Sequence, residues 1–155
     1  MIFVECDPDE VLVKALGITR KNITHEADKP KVIKKVMKAE SSKGMVDEDP
    51  LGDQPSYIGQ FKQIASEHNI KVLRYDEASS YLIVLCPRLE EWVLSAAKEA
   101  GVDPVKYGLP SDSKELKKVI NFRLENFRSL VRAIDDQRSN MMKKLKGLLK
   151  RREIN

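Results

Sequence analysis

Short apolar runs alternating with segments of helical periodicity constrain this chain more than any other feature. Ile2-Phe3-Val4, Asn22 to His25, Gly44-Met45-Val46, Ile70 to Tyr75 and Tyr81 to Cys86 read as strands. Between the first two, Val11, Leu12, Val13, Ala15 and Leu16 form one helical face; between the next two, Val32, Ile33, Val36 and Met37 form another. Asp7-Pro8-Asp9-Glu10 looks like a helix start, with Asp7 as N-cap and Glu10 closing a capping box, and Gly17 ends that helix. Asp28 is the N-cap of the second helix, whose other face is lysine: Lys31, Lys34, Lys35 and Lys38. Tyr57 to Asn69 reads as a third helix, and Pro87 opens one that runs to about Ala100. The alternation predicts an α/β fold: a mostly parallel sheet with right-handed crossovers, flanked by helices.

Gly101 to Pro110 is a break, so residues 1–110 are expected to form the α/β domain and 111–155 a helical extension. From Ser113 the apolar spacing stays helical to about Arg152, with Asp135-Asp136 as an interruption. The last stretch sets Met141, Met142, Leu145, Leu148 and Leu149 among Lys143, Lys144, Lys146, Lys150, Arg151 and Arg152. Residues 1–111 hold 15 Lys+Arg and 18 Asp+Glu, a net of −3, whereas 112–155 hold 13 and 6, a net of +7. An acidic body with a basic tail implies a polyanion partner such as nucleic acid. A solvated helix face, or a homodimer through the C-terminal helices, would use the same pattern.

The longest apolar run, Tyr81 to Cys86, is far too short to span a membrane. Glu5 and Asp7 interrupt any would-be signal segment. Cys6 and Cys86, in or beside strands, read as buried thiols of a reducing compartment, so a cytoplasmic protein is expected. Two histidines and no Cys-x-x-Cys give no zinc pattern.

Three acids, Asp47-Glu48-Asp49, end the apolar run Gly44-Met45-Val46. Consecutive carboxylates repel, so the stretch is either a solvated turn before Pro50 or a cation site. In open parallel sheets, ligands bind beyond the carboxyl ends of the strands. The first strand delivers Glu5 there, with Asp9 in the next helical turn, and the third delivers Asp47 and Asp49. Convergent carboxylates favour a cation, and oxygen-only ligands select Mg2+ or Mn2+. Asp7, Asp9 and Glu10 also suit a helix N-terminus with no chemistry.

Val4-Glu5-x-x-x-Asp9 followed by Asp47-x-Asp49 resembles the TOPRIM domain shared by topoisomerases, primases, OLD-family nucleases, an rRNA maturase and recombination mediators. The likeness covers roughly residues 1–85. It implies Glu5 as general acid or base, Asp47 and Asp49 as metal ligands, and Asp9 in support. The family usually has Gly after the glutamate; this chain has Cys6. OLD-type nucleases carry a further acid in a Leu-Glu context, and Glu90 is its counterpart here, although Glu90 and Glu91 also suit a first helical turn. His25 is placed to touch a phosphate or to be a strand-end polar residue. The short chain leaves no room for a topoisomerase gate, so the small nuclease-like branch (OLD-type or rRNA-maturase-like) is the nearer relation.

The expected function is therefore metal-dependent cleavage of phosphodiester bonds in DNA or RNA, with the basic tail contacting phosphates. The alternative is a catalytically weak nucleic-acid-binding or assembly module of a larger defence or repair complex. A phosphoacceptor receiver would place paired acids after strand one and a lone Asp after strand three, the reverse of this order.

Overall fold

The computed structural model describes residues 1–151 and Ile154. A six-stranded sheet has the order β2-β1-β3-β6-β5-β4, with β1 Ile2–Val4, β2 Ile23–His25, β3 Lys43–Asp47, β4 Lys62–Glu67, β5 Ile70–Tyr75 and β6 Ser80–Leu85. The pairs β1–β2, β1–β3 and β3–β6 are parallel; β5–β6 and β4–β5 are antiparallel. The chain is α/β as expected, with a mostly parallel but mixed sheet.

The expected helix over 57–69 does not form. Ser56–Gln60 makes a 3-10 turn and 62–67 is edge strand β4. The physical reason lies at His68-Asn69, both at positive φ (54° and 56°), which makes a two-residue hairpin turn between β4 and β5. Trp92, fully buried, donates its indole N–H to the His68 carbonyl at 3.1 Å and holds that turn.

Six helices flank the sheet: α1 Asp7–Ala15, α2 Lys29–Lys38, α3 Leu89–Ala100, α4 Ser113–Val119, α5 Leu124–Asp136 and α6 Asn140–Lys150. The central strands are buried on both faces, and their alternation divides the core. Ile2, Val4, Met45, Ile83 and Leu85 face the layer of α1, α3, α4, α5 and α6; Phe3, Val46, Leu82 and Val84 face α2. Gly44 seats α2 on that second face, because a Cβ there would lie 2.7 Å from Val36 Cγ2 and 2.8 Å from Val32 Cγ1.

Three further expectations change. Cys6, not Asp7, is the N-cap of α1, and no capping box forms; Glu10 pairs with Lys14 at 3.2 Å. Cys6 is exposed rather than buried, and Cys86 is intermediate. The long C-terminal helix is three helices, broken by a 3-10 turn at 120–122 and again after Asp136. Buried Ser139 then caps α6, accepting from the Met142 N–H and donating to Glu99.

The apolar residues of 111–155 join those of 1–110 in one core. Met141, Met142, Leu145, Leu148 and Leu149 are buried within it, so the face that a C-terminal homodimer would use is filled by this chain's own α3 and α5. Buried Lys43, at the start of β3, donates to the carbonyls of Leu148 (2.6 Å), Leu149 (3.2 Å) and Arg151, closing the C-terminal end of α6. Burial pushes its pKa down to about 8, still above neutrality, so it donates as an ammonium. Among the described residues no helix is long and apolar enough to cross a membrane.

Candidate acid cluster at the carboxyl edge

Parallel strands β1, β2, β3 and β6 end at one edge of the sheet, and the acids gather there. Glu5 follows β1, and its backbone N–H reaches Asp9 Oδ2 at 3.4 Å. Asp9, only 4% exposed, sits in the first turn of α1. Desolvation pushes its pKa up to about 8, helped by the charge of Asp47 and, less, that of Glu5. Asp47 is the last residue of β3. Its Oδ1 accepts the Leu89 N–H at 3.1 Å, yet desolvation and the Glu90 charge raise its pKa to about 7, with Glu5 adding to the effect. Glu5 is also shifted upward, by desolvation first, with Asp28 and Asp49 contributing and Lys29 opposing.

Glu5, Asp9, Asp47 and Glu90 thus lie close enough for one charge to oppose another, with Asp49 acting on Glu5. Glu90, at the second position of α3, acts on the cluster through its charge on Asp47. Asp49 lies in the loop that follows β3. It is left-handed (φ 47°) and half-exposed, and it pairs with Arg88 Nη2 at 3.1 Å. Glu48 points elsewhere and pairs with Lys71.

Two cations here were not singled out from the sequence. Arg88 also pairs with Glu91 at 3.4 Å. Lys29 opens α2 and sends its ammonium to the Glu48 carbonyl (3.1 Å) and Gln54 Oε1 (3.0 Å). Burial lowers its pKa; Asp49, Glu5, Asp47 and Glu48 oppose that, in this order. Gln54 in turn donates to the carbonyls of Glu48 and Asp49, so Lys29 and Gln54 together fix the loop that carries Asp49. A signal for Lys29 was present: a lysine in the first turn of a helix opposes the macrodipole and needs nearby acids.

Among the described residues, the ligand atoms that all lie within 4.8 Å of one another belong to Asp7, Glu10 and His25, beside the expected set. His25 Nε2 donates to the Glu5 carbonyl at 2.9 Å, while Nδ1 lies 3.6 Å from Asp7 and 3.9 Å from Glu10. His25 therefore positions the backbone of Glu5.

The basic residues expected to meet nucleic acid divide. Lys143, Lys150 and Arg151 are exposed, whereas Lys144 pairs with Glu67 at 2.6 Å and Lys146 with Asp135 at 2.9 Å. All five line a groove of about 510 Å³ with His68. Arg152 lies outside the described residues.

The donor set is carboxylate oxygen alone; burial first, and neighbouring charge second, raises the proton affinity of Asp9 and Asp47, and a divalent cation would offset the charge. The oxygen-only donor set is of the type Mg2+ takes, although among the described residues no three of Glu5, Asp9, Asp47, Asp49 and Glu90 bring ligand atoms within 4.8 Å of one another. No family model matches the chain, and comparison with curated proteins and with solved structures gave no match.

Proposed function

We propose that this chain is a TOPRIM-type, metal-dependent nuclease that cleaves phosphodiester bonds in DNA or RNA. The observation that carries the reading is the electrostatic coupling of Glu5, Asp9, Asp47 and Glu90 at the carboxyl edge of a parallel sheet. Asp47 and Asp49, with Glu5, would hold Mg2+ or Mn2+. A bound divalent ion supplies positive charge against the scissile phosphate.

The chain's own groups do the rest. Glu5, with its proton affinity raised by burial, is the group that would move a proton. Asp9 holds the Glu5 backbone N–H, and His25 holds the Glu5 carbonyl. Lys29 keeps the loop of Asp49 in place and adds cationic charge beside the acids. Arg88 fixes the Asp49 carboxylate.

Cleavage of labelled single- and double-stranded DNA and RNA, with and without Mg2+ or Mn2+, tests the reading. Metal-dependent turnover, lost in Glu5→Gln and in the double variant Asp47→Asn with Asp49→Asn, is the expected result. Turnover that survives those changes overturns it.

A second reading is a catalytically weak nucleic-acid-binding or assembly module. The Arg88–Asp49 ion pair and the Lys29 ammonium favour it, because Arg88 already partners an acid that a metal would use and Lys29 sets positive charge beside the others. Binding without turnover in any metal selects this reading.

A further inference from the structure

Helix α2 carries five lysines in ten residues, Lys29, Lys31, Lys34, Lys35 and Lys38, and no acid. Val32, Ile33 and Val36 are buried against the sheet, and Lys31, Lys34, Lys35 and Lys38 are exposed. Among the described residues only Lys35 of these four meets an acid, Glu26, at a long 3.7 Å. Lys34 lies over the half-buried ring of Tyr57, 5.1 Å from its centroid. The two flanking acids do not reach along the face. Asp28 is engaged as N-cap by the Lys31 N–H, and Glu40 follows the helix.

The row is also ordered. Lys31, the Lys34–Lys35 pair and Lys38 present positive charge about once per turn, roughly every 5.4 Å. The N-terminal end of α2 lies at the edge where Lys29 enters the acid cluster. The seat of this helix is fixed by Gly44.

We propose that the lysine face of α2 is the track along which a single nucleic-acid strand reaches the acid cluster, with Lys29 the last cation before the carboxylates. This rests on the nuclease reading above and gives it a direction of approach. One straight row of ammonium groups matches one phosphodiester backbone. The α6 groove is a weaker guide for the strand, because Lys144 and Lys146 are already neutralised by Glu67 and Asp135.

The test uses the full chain carrying Asp47→Asn and Asp49→Asn, without metal, so that binding is read apart from cleavage. The probes are fluorescently labelled single-stranded DNA and RNA oligonucleotides of mixed sequence, titrated at several salt concentrations. Adding Lys31→Gln, Lys34→Gln and Lys38→Gln should weaken binding at low salt at least tenfold and flatten the log–log salt slope by about 2, at roughly 0.7 per single-strand phosphate. The matching arginine triple should keep the slope, which separates charge from fold. Lys143→Gln with Lys150→Gln should change it less. An unchanged slope in the α2 glutamine triple overturns the proposal; if metal-dependent cleavage by the wild-type chain persists, the nuclease reading stands without it. A parent chain that binds no oligonucleotide overturns the proposal as well.

Discussion

The Leu89 N–H donates to Asp47 Oδ1 over 3.1 Å, so the acid that ends β3 also serves the first turn of α3. One carboxylate therefore has two tasks: it satisfies a helix N–H that has no intrahelical partner, and it faces the charges of Glu90 and Glu5. Substitutions separate these tasks. Asp47→Asn keeps an acceptor for Leu89 and removes the opposing charge, so the metal-free protein should be at least as stable as wild type. Asp47→Ala leaves the N–H unpaired and should cost about 1–3 kcal/mol. Urea denaturation of both variants checks this, and equal stability of the two would mean that the hydrogen bond contributes nothing.

The proton affinities of the cluster set a pH dependence. Asp9 is raised from 3.8 to about 8 and Asp47 from 3.8 to about 7, each by desolvation first. In that window the folded chain binds protons that the unfolded chain has released. Their effect is therefore to lower stability as pH rises from about 4 to 8, by at most about 1.4 kcal/mol per pH unit for each group. Asp9→Asn should flatten the profile. A metal-free protein that becomes steadily more stable from pH 4 to 8, with no change in slope in that variant, would show that these carboxyls ionise normally.

Metal addition should reverse the same penalty. A ligand that binds only the folded state stabilises it by about 2.7 kcal/mol at a hundredfold excess over its dissociation constant. Mg2+ or Mn2+ should raise the melting temperature of the wild type and leave the Asp47→Asn, Asp49→Asn double variant unmoved. Parallel shifts in both proteins would place any ion elsewhere, and the Asp7, Glu10 and His25 group would be the first place to look.

Much of this fold was legible because its central strands carry unbroken apolar runs and its helices carry periodic ones. Tyr57 to Asn69 misled because Phe61, Ile64 and Ala65 fit a helical face as well as a strand. What decided the outcome was the left-handed pair His68-Asn69, a local turn preference that periodicity does not report. Asp7 resembles an N-cap, but β1 delivers Cys6 in the extended conformation that the cap needs, and Asp7 is already helical. Of the site, Glu5, Asp9 and Asp47 were readable from their positions at strand ends and in the first helical turn. Arg88 was not, because its contact with Asp49 depends on β3 and β6 being neighbours, and nothing in the sequence next to Arg88 specifies that pairing.

The basic C-terminal helix depends on a residue far away in sequence. The Lys43 ammonium donates to three carbonyls at the end of α6. Lys43→Met keeps the apolar stem and removes the donors, which should destabilise the protein by about 1–3 kcal/mol. Amide exchange should accelerate over the last turn of α6 before it does so in β3. Unchanged exchange there would mean that water replaces the ammonium without cost.

Gly44 links the sheet to Lys29 through the packing of α2. A methyl group at this position would meet Val36 and Val32 at 2.7 and 2.8 Å and Leu82 Cδ2 at 3.0 Å. All three neighbours are buried, and valine has little rotamer freedom in a helix, so the strain falls on the helix position. Gly44→Ala should therefore cost about 1–3 kcal/mol as an overpacking substitution. The consequence reaches the site, because α2 begins at Lys29, whose ammonium holds the Glu48 carbonyl and Gln54. Displacing α2 outward should loosen the Asp49 loop and weaken Mg2+ binding, while the Asp47–Leu89 contact on the other side of β3 persists. Thermal melts with and without Mg2+ give both quantities from one variant. A destabilised Gly44→Ala protein whose response to Mg2+ equals that of the wild type would show that the seat of α2 and the geometry of the acids are independent.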